Sequence, residues 1–577
     1  MIFRKFLMIA SQKFSSAYRA FLTAVEADGG TVEAKTYTDA LLQTASNASI
    51  VQIPSAYKAA VLYNQVPTPT GEDFTVARAS DVWRTNEQGV LEVASAGFGD
   101  DVVTNGGFDT DTTWTKTASW TIGSGVASYD GLVFAQNLTT NYFIFTVGQT
   151  YELTFTVLNG TARMALSDSV NTFGAITNYS AGTYTVSFKA QGQLLRFTAY
   201  NNLGGTAFDL DDVIAKQLIT FDVPCIDYSD GFPVLLTQPQ STNLVTYSND
   251  FSDVSWGKTR ASIVVNDIIS PDGTLNADKL VEDTTPSASH IIKQTGSITV
   301  SNGATVTNSV FVKANGRNWV RFSETNTGGY YFDIQNGVVG SVVGTPDDYS
   351  IIDFGNGWYR ISITITVPAT LVAWQIFLCT ADGAFTYTGD GVSGIYMYSA
   401  QIEELSYPTT IIPTSGASAT RLADVITGAG STASINSEEG VLHLEIAALA
   451  DTVIQRSITL GNGGTTDYVT FSYRNVTNQI QLLVRAQNAA YGAITYPMAD
   501  ITVMTSIDLK WKVNDFELYV DGVSVGTDVS GLVSMPNTLN DLSFTNNLGV
   551  TNFYGKTKDL RVYSSIAAAT IDLPYIT

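Results

Sequence analysis

The chain has 577 residues, more than one hydrophobic core can serve, and at roughly 100–200 residues per domain it divides into about three or four. Its 48 glycines, 11% aromatic residues and only 14% charged residues describe short strands joined by tight turns, the composition of an all-β protein. With 53 acidic residues against 30 basic ones and a formal charge of −23, its surface repels polyanions, which excludes nucleic acid as a partner.

Two histidines, His290 and His443, are too few for a His-based catalytic or metal cluster, and the Cys/His spacings of a zinc site are absent. Cys225 and Cys379 lie in apolar, strand-like runs and read as buried free thiols. The apolar run Phe6-Leu-Met-Ile-Ala10 after Arg4 and Lys5 is shorter than the roughly 7–15 residues of a signal-peptide core, so no cleaved signal is expected. No apolar stretch is long enough to span a bilayer, so membrane insertion is not expected either.

Residues 1–66 differ from the rest. Phe14, Tyr18, Leu22 and Val25 recur at helical spacing, Asp28-Gly-Gly30 stops that run, Thr36 and Asp39 cap a second through Leu41, Leu42 and Ala45, and a third is predicted from Ser55 to Tyr63. Three short helices fold poorly alone, so this segment is expected to dock on something else, as an anchor, with a small self-packed cap as the alternative. Pro67-Thr-Pro69-Thr-Gly71 ends the helical pattern. Residues 67–100 then form a linker and a hairpin turning at Asn86-Glu-Gln-Gly89.

An internal repeat follows. Asn105-Gly-Gly-Phe108-Asp-Thr-Asp111-Thr-Thr-Trp114-Thr-Lys116-Thr117 has a counterpart in Asn249-Asp-Phe251-Ser-Asp253-Val-Ser-Trp256-Gly-Lys258-Thr259. A repeat at domain-sized spacing means tandem modules. Each copy continues as alternating strands, Tyr151–Val157 and Thr183–Phe188 in the first, Ser309–Val312 and Trp358–Val367 in the second. Trp114 and Trp256 recur in both copies, which favours a structural role for them. The final module, 420–577, carries Phe516-Glu-Leu-Tyr-Val520-Asp521-Gly522-Val-Ser-Val525, where Asp-Gly marks a type I′ hairpin. The fold class is therefore mainly β: tandem antiparallel β-sandwich (jelly-roll) domains behind a short α-helical N-terminal segment.

Four strings carry a resemblance. Val76-Ala-Arg78-Ala-Ser80 with Trp83-Arg-Thr-Asn86, Ile226-Asp-Tyr-Ser-Asp-Gly231, Ser270-Pro-Asp272-Gly-Thr, and Gly389-Asp-Gly-Val-Ser-Gly394 with Tyr407-Pro-Thr-Thr resemble tail-fibre and adhesin-like structural proteins of tailed bacteriophages. In such proteins the first string runs almost directly into the second; here residues 101–218 are interposed. The interposed block looks like a galactose-binding-like carbohydrate module, 219–419 like a second carbohydrate module, and 420–577 is similar to laminin-G/concanavalin A-like jelly rolls. The resemblance implies a virion protein made in the host cytoplasm. Its partners would be other virion proteins through residues 1–66 and a bacterial surface glycan, and a homotrimer is the expected oligomer. It also implies a structural Ca²⁺ near Asp109 and Asp211 or Asp212, since that ion needs hard oxygen ligands.

Sugar recognition by such sandwiches uses aromatic rings as platforms beside Asn, Asp or Arg. The candidates are Trp120 and Tyr200 in the first module, Trp319, Tyr330 and Tyr331 in the second, and Tyr473 and Tyr491 in the last. No catalytic residue is expected. The Glu-x-Asp-x-x-Glu strand of jelly-roll glycosidases is absent, and Glu438, Glu439 and Glu445 do not reproduce it. The sequence thus points to a non-enzymatic attachment protein. The alternatives are a head-fibre, capsid-decoration or tail structural component and, third, a depolymerase.

Overall fold

The computed structural model describes residues 31–32, 44–52, 56–58, 60–64, 72–173, 175–324, 327–367 and 370–577. The chain divides into two compact units, one built from residues 1–94 and 220–577 and the other from Ser95–Ile219. Strands dominate both, and the strand ladders are antiparallel. Among the described residues one helix occurs, Ile566–Asp572.

In the unit Ser95–Ile219 nine strands form one continuous sheet around one core. Its backbone is the long strand Thr150–Ser167, with Tyr151, Leu153, Phe155 and Val157 turned inward and threonines outward. Its first half pairs with Phe208–Leu218, and after a bulge between Val157 and Thr161 its second half pairs with Arg196–Tyr200. The bulge bends the strand so that the sheet closes over its own apolar face. Asp168, fully buried, accepts backbone N–H bonds from Val170, Asn171 and Gln191 and ties down the following loop.

In the larger unit, two six-stranded sheets pack around a shared core of Trp256, Phe322, Trp374, Ile361, Ile363 and Met397. A jelly roll follows, with Gly555–Tyr563, Glu439–Ala448, Thr505–Lys512 and the hairpin Phe516–Val520/Val523–Asp528 in one sheet. That hairpin turns through Asp521 (φ 48°) and Gly522 (φ 74°), the left-handed pair a type I′ turn requires. The free edge of Gly555–Tyr563 is filled by Val234–Thr237 along one half and by Ile50–Gln52 along the other.

The internal repeat has matching geometry in its two copies. Trp114 Nε1 donates to the carbonyl of Asn105 at 3.0 Å and its ring lies 5.3 Å from Phe108; Trp256 Nε1 donates to the carbonyl of Tyr247 at 2.9 Å and its ring lies 5.1 Å from Phe251. Both tryptophans are core residues.

The N-terminal expectation needs correction where the chain is described. The predicted helix over Ser55–Tyr63 is a strand pair, Ala56–Lys58 against Val61–Leu62, which continues through Phe74–Ala77 to Val425–Thr427. Its apolar spacing fits a helix, but pairing with these distant strands buries Ala56, Tyr57 and Leu62 and overrides local preference. Residues 44–52 are likewise built into the jelly roll, with Ala45, Ala48 and Val51 packed against Tyr563 and the C-terminal helix. The helices predicted around Phe14–Val25 and Thr36–Leu42 lie outside the described residues.

The four strings singled out in the sequence meet in polar joints that are largely buried. Arg78, side chain fully buried, forms an ion pair with buried Asp424 and donates to the carbonyls of Ser80 and Val223. The same Asp424 faces Arg421 at 3.7 Å and accepts from the Gln238 N–H at 2.7 Å. Asp227 accepts from the Thr85 N–H at 2.8 Å, and Asp272 accepts from Ser270 Oγ at 2.7 Å and Tyr398 Oη at 2.9 Å. Asp424→Asn removes the counter-charge of buried Arg78 and the ion-pair partner of buried Arg421. It is expected to cost about 3–5 kcal/mol, read as a lower urea midpoint; an unchanged midpoint would refute the assignment.

A second buried polar group links the jelly-roll sheet to the chain's C-terminal segment. His443 Nδ1 meets Asp508 Oδ1 at 2.7 Å, and Tyr575 Oη donates to Asp508 Oδ2 at 3.0 Å. Burial works to lower the His443 pKa, but the charge and hydrogen bond of Asp508, with Asp559 behind, outweigh it and raise the pKa. This contribution to stability is therefore complete below about pH 6.5, the unfolded value, and fades as pH rises through the folded value. Thermal melts of the natural protein and His443→Gln should differ more at pH 5.5 than at pH 9. Equal differences at the two pH values would count against the coupling.

Candidate functional site

In the unit Ser95–Ile219, strand alternation sets one row of polar and aromatic side chains on the outer face. Ala162 and Met164, Ala199, and Tyr179 point into the core, so their neighbours Arg163, Tyr200 and Asn178 point out. The ladders place Arg163 opposite Tyr200 on one side and Asn178 on the other. Arg163 Nη1 donates to Asn178 Oδ1 at 3.2 Å, Asn178 Nδ2 donates to the Leu203 carbonyl at 3.1 Å, and Arg163 Nε has no partner. The loop after Tyr200 closes over this row because residue 205 is glycine. A side chain there would meet the Tyr200 carbonyl at 2.1 Å and Arg163 Cβ at 2.8 Å.

Beside Tyr200, Phe134 stands edge-on with ring centroids 5.2 Å apart and is 54% exposed. Leu132 and Leu203 are exposed in the same two loops, which touch where Asn201 Nδ2 donates to the Gly131 carbonyl. Farther along the face, Thr198 Oγ1 donates to Asn137 Oδ1 at 2.8 Å and Arg196 Nε to Thr139 Oγ1 at 3.3 Å. An accessible aromatic pair thus adjoins guanidinium, amide and hydroxyl groups. Such a face can stack on the apolar side of a ring-shaped ligand and hydrogen-bond its hydroxyls.

The other predicted rings are placed differently. Trp120 is 2% exposed in the core, between Tyr129 and Phe208, with Nε1 donating to the Gln136 carbonyl. Tyr473 is 1% exposed, stacked on Phe553 under the Arg456 guanidinium. Neither presents a face to a ligand; strand alternation turns both inward. Tyr330 also points toward its sandwich core, 4.7 Å from Tyr349. Tyr491 is half-buried and packs against Gly531. Trp319 and Tyr331 share the outer face of a six-stranded sheet, Trp319 partly buried and Tyr331 only 3% exposed. Phe134, Arg163 and Asn178 escaped the sequence reading. Alternation within Ala162-Arg163-Met164, and the apolar tip Leu132-Val-Phe134 inside a turn, are the signals that mark them.

The expected Ca²⁺ site is not assembled as a carboxylate cluster. Residues 105–107 do adjoin the last strand, since the Val213 N–H donates to the Gly106 carbonyl at 3.0 Å. Asp211, however, accepts from the Asp212 N–H at 2.7 Å, while Asp109 and Asp212 are exposed. Among the described residues no group of three or more His, Cys, Asp or Glu side chains converges on one point. A shell of about six to eight oxygens is not gathered by these side chains.

A cleft of about 860 Å³ in the larger unit is lined by Asp347, Asp348, Asp451, Asp500 and Lys556, among others. Several of its carboxylates serve structural bonds: Asp230 pairs with Lys556, Asp451 accepts from the Asn478 N–H, and Asp500 accepts from the Thr502 N–H. Burial raises the pKa values of Asp73 and Asp278, yet neither lines this cleft, and both accept backbone N–H bonds. Both cysteines are free and buried, with burial pushing the Cys379 thiol up to about 12.

No protein-family model matches the chain, and no curated protein matches it. Solved structures give faint likenesses. The CBM22-1–CBM22-2 tandem of Paenibacillus barcinonensis Xyn10C is 13% identical over 53% of this chain and 98% of that one, at a TM-score of 0.19. Domains LG4-5 of the mouse laminin alpha1 chain are 11% identical over 56% and 91%, at 0.18. Trypanosoma rangeli sialidase is 11% identical over 87% and 98%, at 0.20. At such scores none of the three identifies a shared fold or a function.

Trp120→Ala removes a core ring and costs about 3–5 kcal/mol, whereas Tyr200→Ala costs under ~1 kcal/mol. Urea titrations of the two variants test this, and a Tyr200 cost as large as that of Trp120 would make Tyr200 a core residue.

Proposed function

We propose that this chain is a non-enzymatic bacteriophage virion protein that attaches the particle to a cell-surface glycan through the outer face of the unit Ser95–Ile219. The observation that carries the reading is the accessible Tyr200–Phe134 ring pair in line with Arg163 and Asn178. Placement on a particle rests on the resemblance of residues 76–86, 226–231, 270–274 and 389–410 to tail-fibre and adhesin-like proteins. Assembly as a homotrimer, with virion neighbours engaged through the N-terminal segment, belongs to the same proposal. Several copies would compensate for weak single sites by raising effective concentration.

A second reading, a head-fibre, decoration or tail component packed against neighbouring subunits, is favoured by exposed apolar residues on the same unit, among them Phe143 and Val170 at 71% each. Binding of the full chain to a glycan array and to host cells separates the two. Expected is a defined glycan subset whose signal falls at least tenfold in Tyr200→Ala and Arg163→Gln, with no reducing ends released from host polysaccharide. Uniform absence of binding would sink the attachment reading.

A further inference from the structure

The outer face of the six-stranded sheet that holds Trp319 and Tyr331 carries a cation without an ion-pair partner among the described residues. Val320 and Phe322 fill the core, so Trp319 and Arg321 point outward. The ladders set Ile291, Phe377, Arg321 and Tyr331 side by side. The Arg321 guanidinium lies 4.8 Å from the centre of the Phe377 ring and 5.5 Å from that of Phe385, which meets Phe377 edge-on at 5.6 Å. The two rings hold its plane in place.

Among the described residues no carboxylate forms an ion pair with Arg321, and its buried Nε has no hydrogen-bond partner. The nearby Asp382 is committed to Ser341, accepting from its N–H at 3.0 and 3.1 Å and its Oγ at 2.8 Å. Lys293, exposed, extends from the same face in the next row beside Gln375. Arg78, Arg317 and Arg561 are each matched to a carboxylate, whereas Arg321, like the more deeply buried Arg360 and Arg456, rests on aromatic rings instead. A guanidinium held by rings beside the Tyr331 hydroxyl, with no carboxylate of its own, is positioned to take an external carboxylate on its outer N–H groups. The partly buried Trp319 beside it leaves some ring surface for stacking.

We propose that this face binds a carboxylate-bearing sugar, with the carboxylate on Arg321, Lys293 in support, and the sugar ring against Trp319. The proposal deepens the glycan-binding reading but uses a face chemically distinct from the Tyr200 row. The net negative charge opposes a dense polyanion at long range. A glycan with isolated carboxylates escapes most of that opposition, because salt screens it beyond about 8–10 Å.

Calorimetric titration of the full chain with 3′-sialyllactose and with unsulfated chondroitin disaccharide, each against its methyl ester, tests the inference. At least one acid is expected to bind and its ester to bind at least tenfold more weakly. Arg321→Gln should abolish the signal and Arg321→Lys restore part of it. Ester binding equal to acid binding, no binding of either acid, or competition by acetate as effective as the sugar would overturn it. The ester comparison uses the unaltered protein, so it stands even if Arg321→Gln misfolds. A neutral glycan bound through Tyr200 with no acid bound here would refute this inference alone and leave the attachment reading intact.

Discussion

The larger unit depends on one buried ionic contact, Arg78 with Asp424. Asp424 sits at the meeting of three segments far apart in sequence: the strand before the interposed unit, the stretch that resumes after it at Val223 and Gln238, and the entry to the jelly roll at Arg421. Fully buried charges are tolerated only when paired and hydrogen-bonded, and each partner here is. The contact specifies geometry more than it adds stability, since an apolar replacement could pack the space but could not dictate which three segments converge. Glu403, fully buried, extends the arrangement by accepting from Ser241 Oγ, Gln401 Nε2 and the Thr409 N–H.

The four strings singled out in the sequence are joint-forming residues. Arg78, Asp227, Asp272 and the segment around Tyr407–Thr410 hold turns and segment crossings instead of lining the Tyr200 or Arg321 faces. A chain can keep such joints while its outer sheet faces change freely, so the strings report architecture and are silent about what is bound.

Strand content, the Asp521-Gly522 hairpin and the structural role of the repeated tryptophans were legible because each depends on local alternation or turn chemistry. The segment around Ala56–Leu62 was not, because its helix-like spacing was decided by partners hundreds of residues away. The same limit governs the rings. Alternation tells which residues share a face, but whether a face is covered depends on other segments, and Trp120, Tyr331 and Tyr473 proved enclosed while Tyr200 stayed accessible. Arg321 drew no notice in the sequence because an unpaired guanidinium is recognised only when the positions of all surrounding carboxylates are known.

The edge of strand Gly555–Tyr563 bears on how the chain matures. Ile50–Gln52 completes it, and Ser49 Oγ reaches the Val562 carbonyl across a sequence separation of 513 residues. On the ribosome, the early segment must wait unpaired until residues 560–562 have emerged, with the loop-closure entropy and exposure to mispairing that such delay brings. The unit Ser95–Ile219 has every strand of its sheet within its own contiguous stretch. It can reach its native form while the surrounding unit is still an incomplete nascent chain.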